Sequence, residues 1–84
     1  MASLRLEIVT SEETVFSGDV DYVSAKSVDG QIGILPNHIS LISELDNGNL
    51  LWRNGNKEED VSIQGGFIEI IDNKVTILVD GSVK

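Results

Sequence analysis

Apolar and polar side chains alternate along this chain, and the alternation is clearest near its two ends. Leu4, Leu6 and Ile8 alternate with Arg5 and Glu7, and positions 75, 77 and 79 are again apolar. Successive side chains of a β-strand point to opposite faces, so a period of two is typical of a strand with one buried face. The pattern therefore predicts a strand near each end of the chain.

Segments of similar character fill the middle of the chain. They cover residues 19–27, 31–35, 39–44, 49–53, 60–64 and 67–71. The segment at 39–44 also has a partial helical spacing, but the alternation through Leu41, Ser43 and Leu45 favours a strand. No window holds a sustained helical repeat, so we expect a protein built from short strands.

Turn-forming dipeptides separate several of these segments. Those that favour hairpins are Asp29-Gly30, Asn47-Gly48 and Asn54-Gly55, because both residues of such pairs tolerate a positive φ. Asp72-Asn73 can close one more hairpin, whereas Gly65-Gly66 predicts a bend or bulge where one strand enters the next. Many short strands punctuated by turns are typical of a sandwich or barrel. With 84 residues the chain has room for one domain, residues 1–84.

Charge excludes two classes of partner. The chain carries six Lys and Arg residues against 14 Asp and Glu, for a net charge of −8. A nucleic-acid binder needs a basic surface to displace phosphate counterions, and docking on anionic lipid needs a polybasic face. No apolar run approaches the roughly 20 residues of a spanning helix, and the first residues do not resemble a signal peptide. We expect no nucleic-acid binding, and membrane contact only indirectly, through another protein.

Residues suited to catalysis or metal binding are sparse. His38 is the only histidine, and the chain has no cysteine. A metal site would need companion ligands at a recognisable spacing, which His38 lacks. Grouped carboxylates such as Glu58-Glu59-Asp60 are typical of a solvated face, and no phosphate-binding glycine motif is present. We expect no catalytic residue, no cofactor and no metal ion.

Two other functions stay open at this point. Small acidic all-β carrier domains bear a lipoyl or biotinyl group on a lysine at a hairpin tip, and Lys26 precedes the turn at Asp29-Gly30. Lys26 is expected on a strand before this turn rather than at its centre, which counts against a carrier domain. The other alternative is a small hydrolase using His38 and nearby carboxylates, which would have to meet in space.

A family resemblance is carried by residues 30–41, Gly-Gln-Ile-Gly-Ile-Leu-Pro-Asn-His-Ile-Ser-Leu. They resemble the signature Gly-x-Leu-Gly-Ile-Leu-Pro-x-His-x-Pro-Leu of the epsilon subunit of the rotary (F-type) proton-translocating ATP synthase. Residues 65–80 are similar to the closing hairpin of that family's N-terminal β-sandwich domain, and residues 6–18 to its opening strands. The resemblance covers nearly the whole chain in the family's order.

This resemblance implies an all-β fold, a two-sheet antiparallel β-sandwich of about ten short strands. It implies a non-catalytic central-stalk subunit of the rotor, which links the gamma subunit and the c ring and couples proton flow to ATP synthesis. Such a domain is not itself an enzyme and binds no ATP. It would lie peripherally on the cytoplasmic face of the bacterial plasma membrane, or on the thylakoid of a plastid.

The resemblance also implies a partner contact through the loop from residue 29 to residue 40, where Gly30 and Gly33 permit a tight backbone path. The candidate contact residues are Asp29, Gln31, Ile32, Asn37, His38, Ile39 and Ser40. Ser40 stands where the family usually has proline, and Gln31 where some members carry a glutamate near the c ring. Family members usually continue into a two-helix C-terminal domain, so we expect that helical hairpin to be absent from this chain, which stops at Lys84.

Overall fold

The chain folds as an all-β protein, as the alternation predicts. A computed structural model describes residues 3–38 and 40–79. These residues form seven strands: β1 (Leu4–Val9), β2 (Thr14–Val20), β3 (Tyr22–Ser27), β4 (Gly30–Ile34), β5 (Leu41–Asn54), β6 (Lys57–Ile71) and β7 (Lys74–Val79). Within the described part of the chain, no helix is long and apolar enough to cross a membrane.

All strands belong to one hydrogen-bonded sheet, in the order β2-β1-β7-β6-β5-β3-β4. Neighbouring strands run antiparallel except β1 and β7, which pair in parallel. The expected antiparallel arrangement thus has one departure. It arises because β2 folds back on one edge of β1, so that the other edge of β1 accepts β7, which runs in the same direction as β1.

The sheet folds over itself into the two layers of a β-sandwich. The rings of Phe16 on β2 and Trp52 on β5 pack with their centroids 4.9 Å apart, although three strands separate β2 from β5 in the sheet order. One layer is formed by β2, β1, β7 and the adjoining halves of β6 and β5, and the other by the remaining halves with β3 and β4. The predicted sandwich is confirmed.

The fold-over is made by the two longest strands, β5 with 14 residues and β6 with 15. Their ladder skips Asp46 and Gly65 and resumes in the same register, with Leu45 opposite Gly66 and Asn47 opposite Gln64. Gly65 has a φ of 105° and Gly66 a φ of 151°. A Cβ on Gly66 would overlap the carbonyl oxygen of Leu78 and lie 2.9 Å from the Cα of Val79. Only glycine fits this bend, which the sequence predicts at Gly65-Gly66.

Continuous pairing of β5 and β6 explains why seven strands replace the expected ten or so short ones. Each long strand takes the place of two predicted segments, 39–44 with 49–53 in β5 and 60–64 with 67–71 in β6. The turn predicted at Asn47-Gly48 is wrong, because both residues stay paired with β6. Of the other turns, Gly55 has a φ of 63°, and Asp72 and Asn73 have 49° and 63°, as tight hairpins require.

The core lies between the two layers and consists of alternate residues of each strand. Its members include Leu4, Leu6 and Ile8 of β1, buried as their alternation predicts, and Val75, Ile77 and Val79 of β7. The described buried apolar side chains form one cluster, to which both layers contribute. Because one face of each strand is committed to this cluster, any partner has to bind at the ends, edges or outer faces of the sandwich.

Candidate docking surfaces

The predicted contact loop contains a strand, β4, with a connection at each of its ends. At the first end, Asp29 and Gln31 are exposed. The Asp29 N–H donates to the Ser27 hydroxyl oxygen at 3.0 Å, and the Gln31 side-chain amide donates to the Ser24 hydroxyl oxygen at 2.7 Å. Ile32 is only partly exposed, since its side chain packs against the core.

The second end of β4 is tied to the turn between β6 and β7. Asn37 has a φ of 69°, and its N–H donates to the side-chain oxygen of Asn73. The Asn73 amide nitrogen donates in return to the Asn37 side-chain oxygen at 3.3 Å. Next to this pair, His38 is half-buried and Ser40 is exposed. Ile39 lies outside the described residues.

The six described candidate residues therefore form two groups rather than one patch. Residues 29–32 adjoin the bend of β5, since the Val28 N–H donates to the Glu44 carbonyl oxygen at 3.1 Å. Asn37 adjoins the turn at Asn73, at the opposite end of the sandwich. The strand between the two groups advances about 3.3 Å per residue. One flat partner surface at either end would touch one group and not the other.

The tight backbone path through this segment depends on Gly30 more than on Gly33. Gly30 has a φ of 132°, while Gly33 is not among the described residues with positive φ. A Cβ on Gly33 would instead lie 3.2 Å from the Tyr22 hydroxyl oxygen. The Tyr22 ring in turn carries the Arg53 guanidinium 4.6 Å from its centroid. Space beside Tyr22, not backbone conformation, favours glycine at position 33.

A second surface, which the sequence did not predict, is the outer face of the layer formed by β5, β6 and β7. Ile42, Phe67 and Leu78 are 72%, 52% and 47% exposed, and Ile71 is exposed beside them. Glu44 lies opposite Phe67, and Phe67 lies opposite Leu78, so the strands bring these side chains to one side. We call Ile42, Phe67, Ile71 and Leu78, with Glu44 and Glu69 between them, the outer apolar face.

In the sequence, this face is marked by a loss of the alternation between apolar and polar residues. Residues 67–71 read Phe-Ile-Glu-Ile-Ile, so apolar side chains occupy both faces of β6. The same is true of Leu41-Ile42 in β5 and Leu78-Val79 in β7. The other half of the same layer keeps its alternation, and its outer face is polar, with Arg5 3.6 Å from Asp19.

Comparison with known proteins gives the family. Residues 3–84 match the β-sandwich domain of the ATP synthase delta/epsilon chain. The chain belongs to this family. The ATP synthase epsilon chain of Nitratidesulfovibrio vulgaris is 48% identical over 80 residues, covering 95% of this chain and 60% of that protein. The epsilon chain of Alkalihalophilus pseudofirmus is 42% identical, covering 98% of this chain and 62% of that protein.

A solved structure supports the sandwich fold of this epsilon-family domain. A chain of the mitochondrial ATP synthase of Euglena gracilis, in an assembly of OSCP, F1 and c ring, superposes with a TM-score of 0.92 at 23% identity. The match covers the whole of this chain and 54% of the other. This chain spans about three-fifths of the curated relatives it matches, at 60% and 62% of the two above.

The alternative of a carrier domain gains no support from the position of Lys26. Lys26 lies within β3 and pairs with Gln31 of β4, and its side chain packs beside Gly48. A carrier lysine occupies the centre of a hairpin turn. Among the described residues of the epsilon-family domain, no group of three or more His, Cys, Asp or Glu side chains could hold a metal ion.

The Asn37–Asn73 pair gives a prediction for the second end of β4. We expect Asn73→Gly to keep the positive φ of the turn but release Asn37, at a cost of about 1 kcal/mol in the free energy of unfolding. Amide hydrogen exchange at Asn37 should become faster than in the wild type. Gln31→Ala, which removes a hydrogen bond at the other end of β4, is the control and should leave the Asn37 amide unchanged. Equal protection of Asn37 in wild type and Asn73→Gly would contradict the pairing.

Proposed function

We propose that this domain is a non-catalytic central-stalk subunit of the ATP synthase rotor. It links the gamma subunit to the c ring and couples proton flow to ATP synthesis. The observation that carries the proposal is the family match over residues 3–84, together with epsilon chains 48% and 42% identical over nearly the whole domain. The domain is a part of an enzyme complex, not itself an enzyme.

The geometry of the sandwich suits a coupling part that binds two partners at once. Residues 29–32 and Asn37 lie at opposite ends of β4, and a core shared by both layers joins these ends. A coupling subunit transmits torque only if it does not deform. The long paired strands β5 and β6 make this domain stiff. We propose Asp29, Gln31 and Ile32 as one contact group, and Asn37, His38, Ile39 and Ser40 as the other.

ATP synthase is a membrane-associated complex whose F1 part is peripheral. We place this domain at the cytoplasmic face of a bacterial plasma membrane, or at a plastid thylakoid, held there by its partners. A surface with a net charge of −8 favours docking on basic protein surfaces rather than on anionic lipid. In this proposal the domain itself binds no ATP and no nucleic acid.

Binding to the two partners, measured separately, tests this proposal. The 84-residue chain should bind purified gamma subunit and purified c ring of the source organism in pull-down and titration experiments. We expect His38→Ala to weaken binding to one partner by about tenfold at most, and Gln31→Ala to have a smaller effect, because a neutral rim amide is readily replaced by water. The proposal would be refuted if the wild-type chain bound neither partner. A lipoyl or biotinyl mass on Lys26 of the natively expressed protein would also refute it.

A further inference from the structure

Two Asn-Gly pairs of the chain carry a chemical reactivity that the proposed function does not use. The pairs are Asn47-Gly48 and Asn54-Gly55. In such a pair the backbone nitrogen of glycine can attack the Cγ atom of the asparagine side chain, since glycine has no side chain to obstruct the approach. The structure places the two pairs in different surroundings, so their protection from this reaction has different causes.

The reaction is a cyclisation followed by a hydrolysis. Solvent hydroxide removes the proton of the glycine N–H, and a bond forms between this nitrogen and the asparagine Cγ. The bond from Cγ to Nδ2 then breaks, and the leaving nitrogen takes a proton from water and departs as ammonia, which regenerates the hydroxide. A water molecule opens the resulting cyclic succinimide at either carbonyl carbon. One opening gives aspartate, and the other gives isoaspartate, in which the main chain runs through the former side chain.

The Asn54-Gly55 pair lies at the tip of the hairpin between β5 and β6. Both residues are exposed, and Gly55 has a φ of 63°, in the region that favours glycine. Exposed tips open locally at a lower cost in free energy than paired strands do. Water and hydroxide reach this pair directly, so the contacts of the pair itself must oppose the cyclisation.

Those contacts come from the corner between β2 and β3. The Gly55 N–H donates to Asp21 Oδ2 at 2.9 Å, and the Asn54 side-chain amide donates to the Asp19 carbonyl oxygen at 2.8 Å. The corner is itself fixed to β5, since the Asp21 N–H donates to the Arg53 carbonyl oxygen at 2.8 Å. The attacking nitrogen and the side chain under attack are therefore held on separate acceptors. A hydrogen bond to an ionised carboxylate is stronger than a neutral one, and the negative charge also opposes loss of the Gly55 proton.

The Asn47-Gly48 pair is protected by the sheet instead. Asn47 lies opposite Gln64 and Gly48 opposite Ile63 in the ladder of β5 and β6. Cyclisation there requires the two longest strands to separate around the pair, which costs more free energy than opening a hairpin tip. This protection does not involve Asp21. The two pairs therefore report on two different kinds of opening in the same molecule.

We propose that Asn54 is a latent site of succinimide formation and that Asp21 is the positioning residue that keeps this site closed. Isoaspartate at position 54 would add a main-chain carbon where Asn54 pairs with Lys57, and so would disturb the turn that joins β5 to β6. The corner between β2 and β3 thus preserves the chemical integrity of this turn. This role is independent of any partner of the domain.

The rates of deamidation at the two pairs test the proposal. The 84-residue chain and its variants are incubated at mildly alkaline pH, and peptide mass spectrometry follows aspartate and isoaspartate at Asn54 and Asn47. We expect Asp21→Ala to speed the reaction at Asn54 by about five- to tenfold, the factor that one hydrogen bond gives, and to leave Asn47 unchanged. Amide hydrogen exchange at Gly55 should become faster in the same variant, while circular dichroism should show that the fold persists.

Matched variants separate the hydrogen bond from charge and from general loss of structure. Asp60→Ala removes the same kind of exposed carboxylate from the same hairpin and should change the rate at Asn54 by less than about twofold. Asp21→Asn keeps a side-chain oxygen as acceptor but loses the charge, so we expect an increase of only about two- to threefold. The proposal is wrong if Asp21→Ala leaves the rate at Asn54 unchanged or raises the rates at Asn54 and Asn47 equally. It is also wrong if Asp21→Asn reacts as fast as Asp21→Ala, because charge alone would then protect the turn.

Discussion

Gly66→Ala is expected to remove most of the domain's stability. An added Cβ meets the carbonyl oxygen of Leu78 and the Cα of Val79, both backbone atoms of the neighbouring strand, so no side-chain movement relieves the overlap. The φ of 151° is also unfavourable for a residue with a side chain. Overpacking and backbone strain together should lower the free energy of unfolding by about 4 kcal/mol. The total for a domain of this size is about 5 kcal/mol. Urea denaturation followed by circular dichroism measures the loss.

The control for this prediction is Gly30→Ala. Gly30 has a φ of 132°, but a Cβ at this position would meet no heavy atom within 4 Å beyond its chain neighbours, so it isolates the cost of the backbone conformation. We expect the free energy of unfolding to fall by about 1–2 kcal/mol, clearly less than for Gly66→Ala. Equal losses for the two variants would mean that the close approach of β6 and β7 at the bend is not what requires glycine.

Trp52→Ala is expected to have the second-largest effect, because Trp52 joins the two layers. Trp52 is 4% exposed, and its ring packs at a tilt against that of Phe16 from the opposite layer. Removing a buried aromatic side chain leaves a cavity and typically costs about 3–5 kcal/mol. The free energy of unfolding in urea should fall by that amount, with circular dichroism as the probe because the variant has no tryptophan fluorescence.

Trp52→Phe keeps the aromatic contact and is the control. The indole N–H of Trp52 is buried and has no hydrogen-bond partner among the described residues, so its removal also lifts a desolvation cost. For Trp52→Phe we expect the free energy of unfolding to fall by about 1 kcal/mol or less. If Trp52→Ala cost no more than this control, the Phe16–Trp52 contact would not hold the layers together.

The strands and most turns could be predicted because they follow from local rules. A strand with one buried face must alternate, and Leu4, Leu6 and Ile8 are buried as that rule requires. The turn at Asp72-Asn73 follows from the positive φ that Asp and Asn tolerate. These features depend on a few neighbouring residues, which the sequence displays directly.

The course of β5 could not be predicted in the same way, because it depends on a distant strand. Asn47-Gly48 has the composition of a hairpin turn, yet Gly48 pairs with Ile63 and stays in the ladder. Gly65-Gly66 supplies the flexibility on β6 that lets both strands bend together. Tertiary pairing thus overrides a local turn preference, and the parallel pairing of β1 with β7 likewise depends on the whole sheet.

The candidate site was predicted in part. The sequence singled out residues 29–40 through their resemblance to a known signature, but it did not show that Asp29 and Asn37 lie at opposite ends of β4. The outer apolar face was missed, although Phe67 and Ile71 break the alternation of β6. In the sequence, an apolar residue on the outer face of a strand looks the same as an apolar residue in a strand buried on both faces. Only the assembled sheet shows that these described side chains are exposed.

Proton-driven ATP synthesis tests the central claim most directly. Membranes of the source organism stripped of their epsilon subunit should synthesise ATP poorly, and adding the 84-residue chain should restore synthesis in proportion to the amount bound. If the folded chain binds the stripped enzyme and synthesis does not rise, the domain does not couple proton flow to ATP synthesis.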